Sequence, residues 1–466
     1  MPPGRQRDQY IPNTCGADRW DNHEYCEDCH ADQPCGRPHR APDLKHARSL
    51  AVALPVRAFP LEKAFDFSPL MFQEELVPGF DSEMVPQPRA PLPPVGQPHR
   101  QATLFQVRQR DRGKAGAGKS TLNRLELTPA DADQSARYKK IALDLAAVDQ
   151  TLVDIYIQRQ ASRPTQIVLD LDATDDRLHG RQEGRFFHGY YGGYCYLPLY
   201  IFAGEQLLCA RLREANQDAS AGALEQIARI VTQLRRSWPG VEIVLRADSG
   251  FCREELMSWC ERNGVDYVFG LAKNTRLLQR IRKALNKARR RFAATGRAAR
   301  VFAELRYRTR ESWSRKRRVV AKAERLEKGD NPRFVVSSLD AGRLDARSLY
   351  EDLYCARGEM ENRIKEQQLD LFADRTSTSL MRSNQIRLYF SSIAYCLLQA
   401  LRDLGLEGTK IARAQCSTIR QRLLKIGARV RLTARKVWIS MATGHPAQGL
   451  FAAAYGNLER APPMGC

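Results

Sequence analysis

The sequence predicts an α/β fold built around a mixed β-sheet. Neighbouring segments rich in β-branched and aromatic residues precede an amphipathic helix, which favours antiparallel strands. Helices and strands then alternate, which favours parallel pairing. The chain of 466 residues is long enough to bury a large core and to divide into two or three domains.

The order of elements follows from the spacing of apolar residues. Helices are predicted where apolar residues recur every three to four positions, and strands where short runs are rich in Ile, Val, Leu and aromatic residues. This gives helices Ile141–Gln158, Ala221–Ser237 and Arg253–Asn263, and strands Gln166–Leu171, Arg185–Tyr191, Leu197–Phe202, Gln206–Leu212, Val241–Leu245 and Tyr267–Leu271. Three antiparallel strands followed by alternating helices and strands resemble the ribonuclease H-like mixed sheet.

A long basic segment interrupts this pattern. The 112 residues between Asp248 and Glu361 exceed what a single crossover needs. We predict a mostly β insertion with a helical entry and strands at Phe302–Arg310, Arg317–Ala323 and Arg333–Leu339. The predicted divisions are a first catalytic part at 161–273, the insertion at 274–342, a second catalytic part at 343–405 and a helical, basic C-terminal region at 406–466.

The N-terminal part differs from the rest. Residues 1–107 are rich in proline with little apolar periodicity, so poor order is predicted, followed by a helical lead-in at 108–160. Cys26 and Cys29 form one Cys-x2-Cys pair, but a zinc knuckle needs a second correctly spaced pair. No such pair follows, so the sequence does not favour zinc.

Residues 113–120 match the phosphate-binding pattern G-x4-G-K-S literally. Such a loop needs an apolar strand before it and a sustained helix after it, because backbone N–H groups and a helix N-terminus bind the phosphates. Here residues 108–112 are polar, and Pro129 limits the segment that follows. The sequence therefore argues against an ATPase.

The basic composition indicates a polyanionic partner. Lys and Arg total 74 against 53 Asp and Glu, a formal net charge of +21, which favours salt-sensitive binding of nucleic acid. Residues 276–325 concentrate this charge, with 19 Lys or Arg and three acids. Neither an apolar run of about 18 residues nor the apolar core of a signal peptide occurs, so a cytoplasmic protein without a membrane segment is predicted.

Three acidic residues lie in contexts that indicate a metal site. Asp172 and Asp248 each follow a short apolar run, as catalytic groups do at the ends of buried strands. Glu361 lies on a predicted helix, and Tyr354 and Arg357 share its face at spacings i, i+3 and i+7. Such carboxylates select Mg²⁺ or Mn²⁺ and suit phosphoryl transfer on nucleic acid.

The first metal ligand has a competitor. Asp170 lies two residues before Asp172, and residues i and i+2 lie on the same face of a strand. Asp175 and Asp176 follow in what is predicted to be a solvated turn.

Three sequence blocks carry a family resemblance: residues 170–191, which begin Asp-Leu-Asp-Ala-Thr-Asp-Asp, residues 246–251, Arg-Ala-Asp-Ser-Gly-Phe, and residues 359–371, which begin Glu-Met-Glu-Asn-Arg. Through them the chain from about 109 to 460 resembles a DDE transposase of bacterial insertion sequences, similar to the insertion sequence thirteen-eighty family within the larger four-like assemblage. The Tyr-x2-Arg-x3-Glu-x6-Lys signature of that assemblage matches up to Glu361. Its lysine position holds Gln368, and Lys365 falls one turn earlier.

The resemblance implies an activity and its partners. Asp172, Asp248 and Glu361 would bind two metal ions, cut double-stranded DNA at transposon ends and join the freed 3′-hydroxyls to target DNA. The Asp-x-Thr form of the assemblage favours Asp172 over Asp170. A homodimer in the DNA complex and association with the bacterial nucleoid are also implied. The alternatives are a ribonuclease H-like nuclease without strand transfer and an inactive DNA-binding remnant of a transposon.

Candidate DNA contacts lie in two places. On the helix of Glu361, Arg357 is expected to contact a phosphate, with Tyr354 beside it and Lys365 one turn further on. In the insertion, Trp313 either stacks on an unpaired base or caps the small core of the insertion. The cations expected to bind phosphate beside it are Arg315, Lys316, Arg317 and Arg318.

Overall fold

The computed structural model describes residues 51–53, 143–432, 437–442 and 444–461. The predictions for Cys26, Cys29 and residues 113–120 lie outside these residues, as does most of the predicted N-terminal region and helical lead-in. No helix within the described ranges is long and apolar enough to cross a membrane.

The strands alternate with helices over most of this length. In chain order they are β1 Ala51–Ala53, β2 Gln166–Ala173, β3 Asp176–Arg177, β4 Phe186–His188, β5 Gly193–Tyr196, β6 Leu199–Ala203, β7 Gln206–Arg211, β8 Glu242–Ala247, β9 Asp266–Leu271, β10 Ala299–Tyr307, β11 Arg317–Leu326, β12 Gly329–Asp330, β13 Arg333–Ser337, β14 Ala428–Leu432 and β15 Val437–Met441.

The helices are α1 Leu145–Gln158, α2 Ala223–Ser237, α3 Glu254–Arg262, α4 Thr275–Arg280, α5 Arg282–Thr295, α6 Met381–Ala400, α7 Cys416–Ile419 and α8 Gln448–Arg460. A helical stretch of mixed geometry, here named the signature helix, spans residues 346–370. It is α-helical at Gly358–Lys365 and π-helical on either side, at Leu349–Tyr354 and Glu366–Asp370. Such departures from the α-helix are frequent at functional sites.

A nine-stranded mixed sheet forms the centre of the fold. Its order is β10-β11-β13-β9-β8-β2-β6-β7, and β12 pairs with β11. Strands β2, β8 and β9 are parallel, and the other neighbours are antiparallel. The predicted α/β fold with a mixed sheet is therefore confirmed.

One predicted strand lies elsewhere. The segment expected as Arg185–Tyr191 is shortened to β4, which pairs with β5 in a separate small sheet rather than with the central one. The reason is a tight turn at Gly192, whose φ of +64° lies in the left-handed region that glycine adopts without strain. The chain folds back there, and β6 and β7 continue the central sheet from β2.

The basic segment 274–342 does not form a separate β unit. Its strand β13 pairs with β9, and β11 and β10 extend the central sheet from there. The residues of β13 explain this, because Phe334 and Val336 enter the main core while Val335 packs on the opposite face with Tyr350. A strand that is apolar on both faces needs cover on both. Helices of the segment supply one cover and the signature helix the other.

Arg246 connects the signature helix to the sheet. On β8 it lies opposite Asp170 of β2, and its Nη2 donates to Asp170 Oδ2 at 2.7 Å. Its Nη1 donates to the carbonyl of Leu353, in the signature helix, at 2.5 Å. Both charged side chains are buried. The helix is therefore held over two strands by one guanidinium group.

We expect Arg246→Met to lower the free energy of unfolding by roughly 3–5 kcal/mol, because the carboxylate of Asp170 would remain buried without its partner. Urea denaturation followed by circular dichroism measures this loss. The control is Arg246→Met combined with Asp170→Leu, which removes both charges and should recover most of the stability. A loss below about 1 kcal/mol in the single variant would contradict the role given to this pair.

Candidate active site

Two of the predicted metal ligands lie side by side. Strands β2 and β8 are parallel, with Leu171 opposite Ala247, so the next residues along each strand are Asp172 and Asp248. Asp248 also shapes the turn that follows, since its Oδ1 accepts a hydrogen bond from the backbone N–H of Gly250 at 2.8 Å. The sequence positions of the two acids and the strand register thus place both carboxylates at one edge of the sheet.

The signature helix brings an arginine between the acids. Nη1 of Arg357 is 3.5 Å from Oδ2 of Asp172, and its Nη2 is 3.1 Å from Oε1 of Glu361. The Glu361 side chain is about half exposed, at 49%. Nη1 of Arg357 is buried and has no hydrogen-bond partner among the residues that the structure describes. One guanidinium group therefore bridges the first and third predicted ligands.

The competing acid Asp170 has a different environment. Its carboxylate is occupied on both oxygens by Arg246. Asp172, in contrast, accepts one hydrogen bond from its neighbouring backbone N–H at Ala173, 3.0 Å away, and faces Arg357 at a longer distance. The geometry favours Asp172 over Asp170 as the ligand.

The electrostatics of Asp172 favour an additional cation. Burial raises the pKa of this carboxyl to about 7, Arg357 lowers it, and the negative charges of Asp248 and Glu361 raise it further. A carboxylate in this state is stabilised by any positive charge brought close to it. The oxygen donors of the three acids, with no His or Cys among them, suit Mg²⁺ or Mn²⁺.

The third acid is not gathered with the other two. Across 143–432, and in the shorter described stretches, no three His, Cys, Asp or Glu side chains lie close enough together to hold a metal ion. Glu361 is paired with Arg357. The chemistry of the donors therefore fits a divalent metal, while the third donor is engaged in an ion pair.

Gly270 on β9 is a contributor that the sequence analysis missed. A Cβ at this position would lie 2.7 Å from the hydroxyl of Tyr354 and 2.9 Å from the backbone nitrogen of Ser249. The absence of a side chain lets Tyr354 pack against the strand next to Asp248. A glycine inside a strand often marks such a close approach, and this was the available signal.

Gln368, at the lysine position of the family signature, contacts a buried acid. Its Nε2 donates to Oδ1 of Asp176 at 2.9 Å and to the carbonyl of Asp175 at 3.2 Å. The prediction that Asp176 lies in a solvated turn is wrong, because Asp176 pairs with Tyr196 in a strand and is fully buried. Burial raises the pKa of Asp176 to about 7. Lys365 lies exposed on the same helix.

The predicted DNA contacts of Trp313, Arg317 and Arg318 are wrong for this structure. Trp313 is 4% exposed and lies edge-on to Tyr307, with ring centroids 5.8 Å apart. Arg317 is buried in ion pairs with Glu254 and Glu261, and Arg318 with Glu304. Trp313 is therefore a core residue, as in the alternative interpretation, but it belongs to the main apolar cluster rather than to a small core of the insertion.

The two remaining cations of this group keep solvent access. Arg315 is exposed and pairs with Glu261 at 2.6 Å. Lys316 is exposed and has no ion-pair partner within the described part of the chain. The change from exposed to buried cations coincides with the start of β11 at Arg317, where the strand enters the sheet.

We expect the buried carboxyl of Asp176 to give the protein a pH-dependent stability. Its folded pKa is raised from 3.8 to about 7, so its stabilising contribution is complete below pH 4 and is lost as the pH rises through 7. Between about pH 4 and pH 7, the free energy of unfolding of the wild-type protein should fall by roughly 1.4 kcal/mol per pH unit relative to that of the Asp176→Asn variant. Urea unfolding of both proteins at pH 4 to 8 measures this, and parallel pH profiles would contradict it.

Known proteins give two kinds of similarity. A piggyBac transposase, solved by cryo-electron microscopy in a synaptic complex with hairpin DNA, matches with a TM-score of 0.33 and 12% sequence identity. The match covers 60% of this chain and 59% of that protein, so the chain spans less than two thirds of its length. No curated protein matches the sequence.

The family comparison covers much more of the chain. Residues 100–463 match the family described as transposase DDE domain group 1. This range includes Asp172, Asp248 and Glu361 together with the whole central sheet. Because the match extends over most of the 466 residues, the chain belongs to the transposase DDE domain group 1 family.

Proposed function

We propose that this protein is a DNA transposase that cleaves transposon ends and transfers the freed strands into target DNA in a metal-dependent reaction. The observation that carries the proposal is the placement of Asp172 and Asp248 at the adjoining ends of parallel strands, beneath the helix of Glu361. A ribonuclease H-like catalytic domain is part of the proposal. The antiparallel β2, β6 and β7 beside the parallel β8 and β9 support it.

The three acids would hold two divalent ions, Mg²⁺ or Mn²⁺. When bound, these ions would activate the attacking oxygen and stabilise the leaving oxygen of the phosphodiester. Glu361 would join the two aspartates after leaving Arg357. This exchange costs little, because an ion pair with a half-exposed partner contributes roughly 0–1 kcal/mol.

Arg357 would bind a DNA phosphate. Its Nη1 is buried at the site without a hydrogen-bond partner in the described ranges, so a donor is already positioned for an oxyanion. A phosphate would satisfy this donor with a charge-assisted hydrogen bond. Tyr354, packed on Gly270, would orient the arginine rather than take part in the reaction.

Helix α5 would bind the DNA backbone. It exposes Arg282, Lys283, Lys287 and Arg290, none of which has an ion-pair partner within the described ranges. Most arginines of the following strands are neutralised, for example Arg300 by Glu324 and Arg325 by Asp330. These four cations of α5 would release counterions on binding DNA.

The family among the insertion sequences, the oligomeric state and the cellular location are also proposals. The three sequence blocks support membership of the insertion sequence thirteen-eighty family. A homodimer in the complex with DNA is implied by the resemblance, and light scattering of the protein with end DNA would measure its stoichiometry. Cytoplasmic location with nucleoid association would follow from binding of chromosomal DNA.

We expect Asp172→Asn, Asp248→Asn and Glu361→Gln each to reduce cleavage of end DNA at least 1,000-fold, a loss on the order of 4 kcal/mol of transition-state stabilisation. DNA binding should change little, because each substitution keeps the side-chain volume. Single-turnover cleavage in Mg²⁺ or Mn²⁺ and a binding assay in EDTA give the two measurements. The matched control is Glu359→Gln, an exposed glutamate of the same helix that pairs with Arg363.

Two outcomes would decide against the proposal. Undiminished cleavage by a triad variant would remove that residue from the site. Cleavage without joining of 3′-hydroxyls to target DNA by the wild-type protein would indicate a nuclease rather than a transposase.

We also expect removal of charge from α5 to weaken DNA binding uniformly across sequences. Replacing Arg282, Lys283, Lys287 and Arg290 by Gln should lower the slope of log K against log salt by up to about 4, roughly 0.9 per phosphate contact. Fluorescence anisotropy from about 50 to 200 mM salt measures the slope. The control replaces Arg289, which pairs with Asp330, and should have a smaller effect. An unchanged slope in the fourfold variant would exclude this helix.

A further inference from the structure

A cluster of aromatic side chains lies exposed next to the candidate active site. It belongs to the aromatic hairpin, here defined as residues 185–196, which contains β4 and β5. Tyr190 is 78% exposed and Phe187 59%, and Phe186 and Tyr194 are also exposed. Large aromatic rings are usually buried, at least in part. Their concentration on one hairpin indicates a binding surface.

The aromatic hairpin is attached directly to the strand of Asp172. The hydroxyl of Tyr191 donates to the carbonyl of Ala173, the residue after Asp172, at 3.3 Å. Strand β5 also pairs with β3, which begins four residues after Asp172. The negative charges of Asp172 and Asp248 reach Tyr191 and, after burial, add to the rise in its pKa. The aromatic surface is therefore continuous with the edge that carries the acids.

Each of the two most exposed rings packs against a neighbouring ring of the hairpin. Phe187 and Tyr194 lie edge to face with centroids 5.7 Å apart, and Tyr190 and Tyr191 do so at 5.0 Å. The hairpin backbone leaves space around them, since a Cβ built on Gly189 or Gly192 would meet nothing within 4 Å. Faces of the exposed rings are thus positioned in advance and open to solvent.

Cations accompany the rings. The guanidinium of Arg185 lies over the ring of Tyr194, 4.1 Å from its centroid. Arg177, on β3 beside the hairpin, keeps 64% of its side chain exposed. Aromatic faces interleaved with arginine are the combination that binds single-stranded nucleic acid, through base stacking and phosphate contacts. Arg177 also pairs with Asp175 at 3.4 Å and donates to the carbonyl of Tyr191 at 3.4 Å.

We propose that the aromatic hairpin binds unpaired bases of the DNA strand next to the scissile phosphate, with Phe187 and Tyr190 stacking on bases and Arg177 and Arg185 contacting phosphates. This inference rests on the proposed function, because it takes DNA to be the substrate of the adjoining site. It assigns to this hairpin the stacking role that the buried Trp313 does not have.

Two DNA probes test the proposal. One is a fully paired duplex, and the other carries three unpaired nucleotides at one end, the second of them 2-aminopurine. Because stacking on aromatic side chains tolerates any base, the terminal sequence of the element is not required. Binding is measured in EDTA by anisotropy, and stacking by quenching of the 2-aminopurine fluorescence. Neither readout needs cleavage.

Phe187→Ala and Tyr190→Ala should each weaken binding of the probe with unpaired nucleotides by roughly tenfold and remove the quenching, while binding of the duplex stays within about twofold. Phe187→Tyr and Tyr190→Phe keep a ring and should retain both signals. Leu424→Ala, which removes an exposed apolar side chain elsewhere, is the control for nonspecific effects. All these side chains are exposed, and circular dichroism checks the fold.

Two results would overturn the proposal. One is an equal loss of affinity for both probes in the alanine variants, and the other is quenching of the 2-aminopurine fluorescence that survives in both of these variants. A wild-type protein that fails to cleave end DNA would sink the proposed function but leave these binding results interpretable. Conversely, if the wild-type protein cleaves end DNA normally but does not quench the fluorescence, only the proposed role of the aromatic hairpin is contradicted.

Discussion

The buried pair of Arg246 and Asp170 is the interaction on which the site depends. It crosses between two parallel strands one pair of residues before their pairing ends, and the same guanidinium binds the carbonyl of Leu353 in the signature helix. Strand register and helix position are thereby fixed by one group. Such a pair is expensive to bury, and removing either partner is more costly still. Replacing both partners together is expected to cost little stability, in contrast to removing one of them.

A second arginine interacts with the acids at the same edge of the sheet. Arg357 lies between Asp172 and Glu361, and it lowers the pKa of Asp172, which burial above all raises to about 7. The acids and Arg357 thus form a salt-bridge network. Nη1 of the same arginine is buried and faces Asp172 at 3.5 Å, but it has no hydrogen-bond partner among the described residues, which suits a phosphate. The proposed cation site and the proposed phosphate site at this edge therefore share one side chain.

The sequence predicted the parts of the fold that depend on local pattern. The apolar runs before Asp172 and Asp248 gave their strands, and helical spacing gave the shared face of Arg357 and Glu361. It could not predict which arginines are neutralised, because Arg317 pairs with Glu254 some 60 residues away. Burial of Asp176 and the need for Gly270 also arise from long-range packing. Neither leaves a periodic trace in the sequence.

The long path of the chain between the second and third acids has a consequence for synthesis. Strands β10 to β13, which extend the sheet, precede the signature helix in the chain. A nascent chain that has emerged as far as residue 342 already contains Asp172 and Asp248 but lacks Arg357 and Glu361. Since translation adds about 5–20 residues per second, on the order of ten seconds pass between the synthesis of Asp248 and that of Glu361. Asp172 and Asp248 are thus synthesised well before Arg357 and Glu361, the residues that complete the site.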